Sequence, residues 1–267
     1  MKIIFTLALN SFRETVRDKI LYNLVFFAIG LIAFSLLLGE WSVFAREFVI
    51  KDFALAVMSL FGLLMAIFVG VGLIQKEIQK KTVLTLLARP FPRWYFIVGK
   101  YLGLLAVLAV DVLFMTVCLY FILWVTHAGP EWRILQAIYL VFLEMAVITA
   151  AALLFSSFST PMLSALFTLG LYVAGHLSSD IIQHIEFTKR MHERLPDAAT
   201  ISPFQEMVMR FTYHLIPNLD NFNLRGRVVY HLPIPDHYLL YTSFYALAFI
   251  AVFLIISSWW FSKRDFI

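Results

Sequence analysis

Six apolar stretches of about twenty residues or more constrain this chain more than any other feature. A helix rises 1.5 Å per residue, so about 20 apolar residues cross the hydrocarbon core of a bilayer. The stretches of that length are residues 20–39, 53–74, 97–126, 134–157, 161–180 and 238–261. Of the 267 residues, 61% are hydrophobic and 14% are charged, which excludes a soluble domain. The sequence predicts an all-α integral membrane protein with six transmembrane helices in a single transmembrane domain, residues 1–267.

The Lys and Arg residues are distributed unequally among the segments that flank these stretches. Twelve lie in the N-terminal segment, in residues 76–100 and in the C-terminal tail, whereas three lie in the short connections on the opposite side. Because cytoplasmic segments carry the excess of Lys and Arg, both termini are predicted to be cytoplasmic. Residues 181–237 then form an outer loop, whose basic residues carry little weight because the loop is long.

Residues 3–19 are predicted to form an elbow helix that lies in the inner membrane interface without crossing the bilayer. Apolar residues recur there at helical spacing, at Phe5, Leu9, Phe12 and Val16, while polar and basic residues occupy the opposite face. The alternative is that this segment is only the beginning of the first transmembrane helix.

Residues 202–215 are predicted to form an amphipathic helix within the outer loop. Ser202 and Gln205 have the spacing of a capping box, and Pro203 occupies the first helical position. An apolar stripe follows, and Pro217 is predicted to end the helix.

The chain lacks the motifs of nucleotide and metal chemistry. It contains no GxxxxGK(S/T) phosphate loop, no GxGxxG, no HExxH and no CxxC. Six of its seven histidines lie between residues 176 and 237, but their spacing matches no metal motif. The sequence predicts that this chain neither hydrolyses nucleotide itself nor binds a metal, and it assigns no catalytic residue.

The densest cluster of charge is KEIQKKTVLTLLARPFPRWYFIVGK, residues 76–100, between the second and third apolar stretches. It holds six basic residues, one acidic residue and two prolines. A Leu-rich helix in residues 77–88, followed by a proline break, would suit the docking of a soluble partner. The alternative is that the basic residues serve only as a topology signal, which accounts for the charge but not for the leucines and prolines.

This segment resembles the cytoplasmic loop of permease subunits of type-2 ATP-binding-cassette (ABC) exporters. In that family an acidic residue ends the second span, a Thr precedes a Leu-Leu pair, and a Pro-x-x-Arg and a Gly-Lys follow. The matching residues here are Glu77, Thr82, Leu86, Leu87, Pro90 to Arg93, and Gly99-Lys100. LNSFRETVRDKILYN is similar to the elbow helix of the family, FSKRDFI to its C-terminal sequence, and LIPNLDNFNLRG to an outer-loop sequence of one branch. Lys81 departs from the pattern, because many members have Gly before the Thr.

The resemblance implies a membrane permease subunit that forms the translocation path of an exporter and is not itself an enzyme. A homodimer of six-helix subunits would assemble with two ABC ATPase subunits in the inner (cytoplasmic) membrane of a bacterium, in contact with membrane lipids and without nucleic acid. No cofactor is implied for this chain, because ATP is bound by the partner subunit. The residues implied in coupling to the ATPase are Glu77, Thr82, Leu86, Leu87, Arg89, Pro90 and Arg93.

Two acidic residues, Asp111 and Glu144, fall near mid-depth of the third and fourth apolar stretches. Ionisable residues within transmembrane helices commonly mark transport paths, so both are candidates for the translocation path. The alternative is a structural role, in which a carboxylic acid donates a hydrogen bond to a Thr or to a backbone carbonyl of another helix.

Small residues at the base of the third apolar stretch predict close helix packing. Gly99 and Gly103 form a GxxxG motif there, and Ala66 with Gly70 forms a looser version in the second stretch. Both pairs are predicted to pack against another helix rather than to bind a ligand.

Two other functions remain open beside the ABC permease. One is an autonomous proton-coupled carrier that uses Asp111 and Glu144, and the other is a membrane enzyme with a histidine site in the outer loop. Inverted repeats would favour the carrier, but the two halves of the sequence contain none that we can recognise. The sequence leaves the transported substrate open.

Overall fold

The computed structural model of the chain describes residues 2–42, 45–79, 92–127, 131–194 and 216–263, with positions 202, 204–207, 209 and 213. For residues 74–79, Arg93 and part of 181–194 it describes the backbone only.

The described residues form helices and no strand. The helices are α1 (Lys2–Val16), α2 (Lys19–Trp41), α3 (Arg46–Gln79), α4 (Arg93–Val125), α5 (Trp132–Phe158), α6 (Pro161–Arg194), α7 (Arg225–Val229) and α8 (Tyr238–Lys263). A 3₁₀ turn covers Leu219–Phe222. Six of these helices, α2 to α6 and α8, are long and apolar enough to cross a membrane. The prediction of an all-α membrane protein with six transmembrane helices is confirmed.

The chain divides into two compact units, Met1–Thr168 with Phe222–Ile267 and Leu169–Asn221. The functional residues discussed below belong to the first unit. The prediction of a single permease domain over residues 1–267 stays a prediction.

Helix α5 is the centre of the first unit. In its most apolar window 83% of the residues are buried, against 17% in α8, so α5 is surrounded by protein and α8 is peripheral. Helices α3, α4 and α8 all pack against α5. Small residues bring α3 close: a Cβ at Gly62 would lie 2.9 Å from Met145 Cγ, and one at Gly70 would lie 3.0 Å from Ala152 Cβ. The close packing predicted at Gly70 is confirmed.

The first unit has two ends with different chemistry. At one end α1, the beginning of α4 and the end of α8 meet, with Lys100 near Glu14 and Phe96 stacked on Phe261 at 5.2 Å between ring centroids. We call this the basic end, because it carries the larger share of Lys and Arg. At the opposite end the beginning of α3 and the residue before α5 meet the α7 segment.

The first two helices begin and end at slightly different residues than predicted. The predicted elbow helix covers residues 3–19, whereas α1 ends at Val16 and a new helix, α2, begins at Lys19. Asp18 causes this break, because its carboxylate accepts a hydrogen bond from the backbone N–H of Ile20 at 3.1 Å and caps α2.

Helix α3 is longer at both ends than the predicted span 53–74. It begins at Arg46 and includes Lys51 and Asp52, which the sequence pattern placed in a loop. Both charged side chains form ion pairs with residues far away in the chain, so the helix continues through them. The absence of Gly and Pro between residues 40 and 61 is the sequence signal that indicates the longer helix.

The second unit contains the later part of α6 and residues 202–221. A Cβ at Gly175 would lie 2.6 Å from Leu219 Cγ, so only glycine allows this close contact. Ser179 and Asn218 are joined by hydrogen bonds of 3.2 and 3.0 Å.

The beginning of the predicted 202–215 helix also lies in this unit. The side chain of Gln205 accepts a hydrogen bond from the Ser202 backbone N–H at 3.0 Å, as a capping box requires, and residues 204–207 are helical. Half of the fourteen residues of the predicted 202–215 helix lie outside the described residues.

Candidate coupling and translocation sites

The predicted coupling segment falls mostly outside the described residues. The coupling residues that lie outside the description are Thr82, Leu86, Leu87, Arg89 and Pro90. Glu77 lies in the last turn of α3, and Arg93 is the first residue of α4; the side chains of both also lie outside the description. In sequence, the coupling segment runs from the end of α3 to the beginning of α4.

Pro92 marks the end of the coupling segment. It is exposed, has extended backbone angles (φ −61°, ψ 134°) and is the N-cap residue of α4. A proline cannot continue a preceding helix but is tolerated at a helix start, so α4 begins immediately after Pro92.

Lys100 belongs to the charged stretch in sequence but not to its surface. Only 1% of this residue is exposed, and its Nζ lies 3.8 Å from Glu14 Oε2 of α1 and 5.6 Å from the centre of the Phe96 ring. The sequence pattern counted Lys100 among the basic residues of the cytoplasmic segment, and it did not indicate this ion pair between α1 and α4. The only sequence signal is the acidic residue Glu14 on an otherwise basic helix.

The GxxxG motif is the surface of α4 on which α1 packs. A Cβ at Gly99 would lie 2.7 Å from Leu7 Cβ, and one at Gly103 would lie 2.6 Å from both the Ala8 carbonyl oxygen and Ser11 Cβ. The predicted close packing is confirmed, and the partner is α1. Together with the Lys100–Glu14 pair, these contacts fix α1 to the beginning of α4.

Asp111 is buried in the middle of α4, with 3% of its surface exposed. It lines a narrow cavity between α3, α4 and α5, together with Gly70 and Thr149, and the cavity has room for about one water molecule. Within the described part of the chain the Oδ2 atom of Asp111 has no hydrogen-bond partner. Such an atom at this depth costs free energy, which is why polar groups there are commonly functional.

Glu144 is equally buried on α5, at 3% exposure, but it is not among the residues that line this cavity. The two carboxylates lie on helices that pack against each other, α4 and α5. The structure thus places Asp111 and Thr149 on the wall of one cavity, which Glu144 does not line.

An ion pair between a buried lysine and a partly exposed glutamate, at the opposite end, was missed by the sequence pattern. Lys51 is 1% exposed, and its Nζ lies 2.5 Å from Glu131 Oε1, while His231 Nδ1 lies 3.5 Å from the other oxygen of Glu131. The Tyr120 hydroxyl donates to the Glu131 backbone carbonyl at 3.0 Å. These contacts join α3, α4 and α5 at this end.

The α7 segment is attached to the same end of α3. The Arg225 guanidinium donates two hydrogen bonds to the Asp52 carboxylate, at 2.5 and 3.0 Å. Phe48 stacks on Tyr230 with 5.9 Å between the ring centroids. A two-point Arg–carboxylate contact fixes geometry better than a single ion pair, so residues 225–230 are held in place on α3.

The sequence also matches a known family along almost its whole length. The family model described as ABC-2 family transporter protein covers residues 5–266. The chain belongs to this family. It is therefore a membrane permease of an ABC-type transporter, and its six apolar helices make it a multi-pass membrane protein. No curated protein matches the chain.

Membership of the family implies that the permease works with an ABC ATPase, as permeases of this family generally do. ABC-2 permeases are generally non-enzymatic and work with an ABC ATPase that is a separate subunit. The absence of a phosphate-loop motif from the sequence of this permease agrees with that division of labour.

Proposed function

We propose that the permease exports its substrate with energy from ATP hydrolysed on a separate ABC ATPase subunit, to which residues 77–93 couple it. The observation that supports this most directly is the position of those residues between α3 and α4, which both pack against the central helix α5. Helices α3 and α4 also line the cavity at Asp111. A partner bound to residues 77–93 would therefore act on the helices that surround that carboxylate.

Within this segment, the proposal gives the residues different roles. Leu86 and Leu87 form the apolar face that enters a groove of the ATPase. Thr82 lies at the beginning of the short helix, and Glu77 precedes it in the last turn of α3. Arg89 and Arg93 meet acidic residues at the rim of the groove, and Pro90 ends the helix. ATP is bound by the partner, so the permease itself holds no cofactor.

Helix α1 would transmit the same movement. The contacts of Gly99, Gly103 and Lys100 fix α1 to the first three turns of α4. When the beginning of α4 is displaced, α1 therefore moves together with α4 and does not slide along it.

The proposed complex contains two permeases and two ATPases in the inner membrane of a bacterium, with both termini and the coupling segment in the cytoplasm. The excess of basic residues at one end supports this orientation. Most of the described residues of α2 and α8 are not buried within one subunit, which leaves apolar surface for a second permease or for lipid. The test of the proposal is co-purification of the detergent-solubilised permease with a subunit that contains a phosphate-loop motif; a permease that purifies from its own cells without one contradicts it.

The orientation predicts a specific pattern of cysteine labelling. In a Cys118→Ser background, Gln205→Cys should react with a membrane-impermeant maleimide added to intact cells, and Thr85→Cys should not. Position 205 is exposed in the structure, so its reactivity depends on sidedness rather than on burial. Permeabilised cells, in which both positions should react, are the control. Labelling of position 85 and not of position 205 on intact cells would contradict the proposed orientation.

A second candidate function is a proton-coupled carrier, and one observation favours it. The unpartnered Oδ2 atom of the buried Asp111 faces a cavity with space for one water molecule, as a proton-binding carboxylate would. Such a carrier would need no ATPase. It would move protons into liposomes that contain the permease alone.

Asp111→Asn is expected to leave the fold intact and to lower the ATP hydrolysis of the reconstituted complex several-fold. The Asn side chain has the same size as that of Asp, so the packing around position 111 is kept. It cannot carry a negative charge or bind and release a proton, so a translocation path that needs the carboxylate is lost. The melting temperature should change by less than about 4 °C, which corresponds to about 1 kcal/mol. The matched control is Asp236→Asn, an exposed position at the opposite end, which should change neither quantity.

One reconstituted preparation distinguishes the ATP-driven permease from the proton-coupled carrier. Proton uptake by liposomes with the permease alone, followed with a pH-sensitive dye, should be at background in the wild type. Uptake that Asp111→Asn abolishes would support the carrier instead. Unchanged ATP hydrolysis and unchanged proton uptake in the variant would leave Asp111 with a structural role only.

A further inference from the structure

An apolar groove runs between α1 and the beginning of α4, and the function proposed above does not use it. Its volume is about 650 Å³, within the range of sites that bind small molecules. Its lining is apolar and includes Phe5, Ala8, Leu9 and Phe12 of α1 and Gly103 and Ala106 of α4. We call it the elbow groove.

The shape of the elbow groove follows from small residues on both walls. Gly103 lets α1 approach α4 so closely that a Cβ would lie 2.6 Å from the Ala8 carbonyl oxygen. Beyond this contact Ala106 leaves the α4 side open, while Phe5 stays 72% exposed on the α1 side. The shape of the groove therefore depends on the close approach of the two helices at Gly103 and on the small side chain of Ala106.

The depth of the groove identifies its surroundings. Gly103 and Ala106 lie ten and thirteen residues after Arg93, which places them about 15 and 20 Å along α4 at 1.5 Å per residue. Because α4 is a transmembrane helix, an open apolar surface at this position faces the hydrocarbon region. The chemistry that fits it is an acyl chain.

A basic side chain lies beside the groove on α1. Arg13 is four residues after Leu9, about one turn along the helix, and it therefore borders the apolar face that lines the groove. Arg13 is exposed. A lipid whose acyl chain enters the groove past Leu9 would have its headgroup next to this positive charge.

We propose that the elbow groove binds one phospholipid with an anionic headgroup, with an acyl chain between α1 and α4 and the phosphate at Arg13. The lipid belongs to the cytoplasmic leaflet, a detail that rests on the orientation proposed above. Each basic residue near the phosphate favours an anionic over a zwitterionic headgroup by about five-fold. Bound there, the lipid contacts both α1 and the helix that follows the coupling segment.

The experiment uses the full-length permease in liposomes and two photoreactive lipids with the same diazirine-bearing acyl chain. One is phosphatidylglycerol, and the other is phosphatidylcholine. After illumination, mass spectrometry of the digested protein should find phosphatidylglycerol on peptides from residues 2–16 and 93–109, at least about five-fold above phosphatidylcholine.

Two pairs of variants locate the acyl chain and the headgroup of the bound lipid. Ala106→Phe fills the groove and should reduce labelling of these peptides several-fold, while Ala109→Phe, an exposed position one turn further along α4 and outside the groove, should not. Arg13→Gln should bring phosphatidylglycerol labelling to within a few-fold of phosphatidylcholine, while Lys19→Gln, an exposed basic residue of α2, should leave the preference unchanged.

Several results would overturn the proposal. These are equal labelling by the two lipids in the wild type, labelling that Ala106→Phe leaves unchanged, and cross-links between two permease copies through the groove in place of lipid. If Ala106→Phe lowers the yield of folded protein, the Arg13→Gln comparison still decides, because Arg13 is exposed and outside the helix contact. None of these measurements involves the ATPase, so failure here is distinct from failure of the coupling proposal.

Discussion

Replacing Leu86 and Leu87 together with alanine should release the ATPase from the permease while the permease stays inserted in the membrane. Burial of one Leu side chain contributes about 1.5–3 kcal/mol, so truncating two neighbours removes about 3–6 kcal/mol from binding. Since each 1.4 kcal/mol is a factor of about ten, the affinity should fall by two to four orders of magnitude. The measurements are a pull-down of the ATPase from detergent extracts and ATP hydrolysis by the reconstituted complex.

Two control variants separate docking from general damage. Leu239→Ala with Leu240→Ala changes an adjacent Leu pair at the beginning of α8, at the opposite end, where the proposed ATPase cannot reach; binding should be unchanged. Charge reversal at Lys80 and Lys81 should weaken binding far less than the Leu pair, because exposed ion pairs contribute under about 1 kcal/mol. Normal ATPase binding and hydrolysis in the Leu86, Leu87 variant would reduce the segment to a topology signal.

Glu131→Ala is expected to lower the melting temperature of the permease by about 6–12 °C. The substitution leaves the ammonium of Lys51, in a residue that is 1% exposed, without its partner at 2.5 Å. Removing one member of a buried pair costs about 3–5 kcal/mol, and we expect the lower value because Glu47 remains 3.8 Å from Lys51. About 3 kcal/mol corresponds to the stated shift, measurable by thermal unfolding in detergent.

The same end of the molecule offers a control for this prediction. Glu40 pairs with Arg46, but both side chains are about half exposed, so Glu40→Ala should cost less than about 1 kcal/mol. Combining Lys51→Met with Glu131→Leu should recover much of the stability, because neither charge is then buried alone. A Glu131→Ala variant that is as stable as Glu40→Ala would mean that the pair contributes little.

The membrane character of the chain and its six helices could be predicted from the sequence, because they depend on local properties. A run of about twenty apolar residues cannot remain in water, and in lipid its backbone can satisfy its hydrogen bonds only as a helix. The helix break at residues 16–19 is local too, since the Asp18 carboxylate caps the helix that begins at Lys19. The close packing at Gly99 and Gly103 was also predictable, although its partner was not.

The predicted coupling residues Thr82, Leu86, Leu87, Arg89 and Pro90 lie outside the described residues, so their role stays a prediction. For Asp111 and Glu144 the sequence could indicate depth alone, because helical rise depends only on the residue number. Which of them faces a cavity depends on the rotation of each helix against its neighbours. The packing of α3, α4 and α5 places Asp111 at that cavity, and Glu144 is not among its lining residues.

The sequence alone determined an all-α permease with six apolar helices and an excess of positive charge at one end. Only the tertiary structure decided which charged residues are buried and which partners they meet. Lys51 of α3 is buried beside Glu131, 80 residues away in the chain, and the partly exposed Asp52 pairs with Arg225, 173 residues away. Lys100 is buried because α1 folds back onto α4 and brings Glu14 within 3.8 Å. Burying a charge costs less free energy when an opposite charge lies beside it than when it is alone, and no local pattern indicates a partner so distant in sequence.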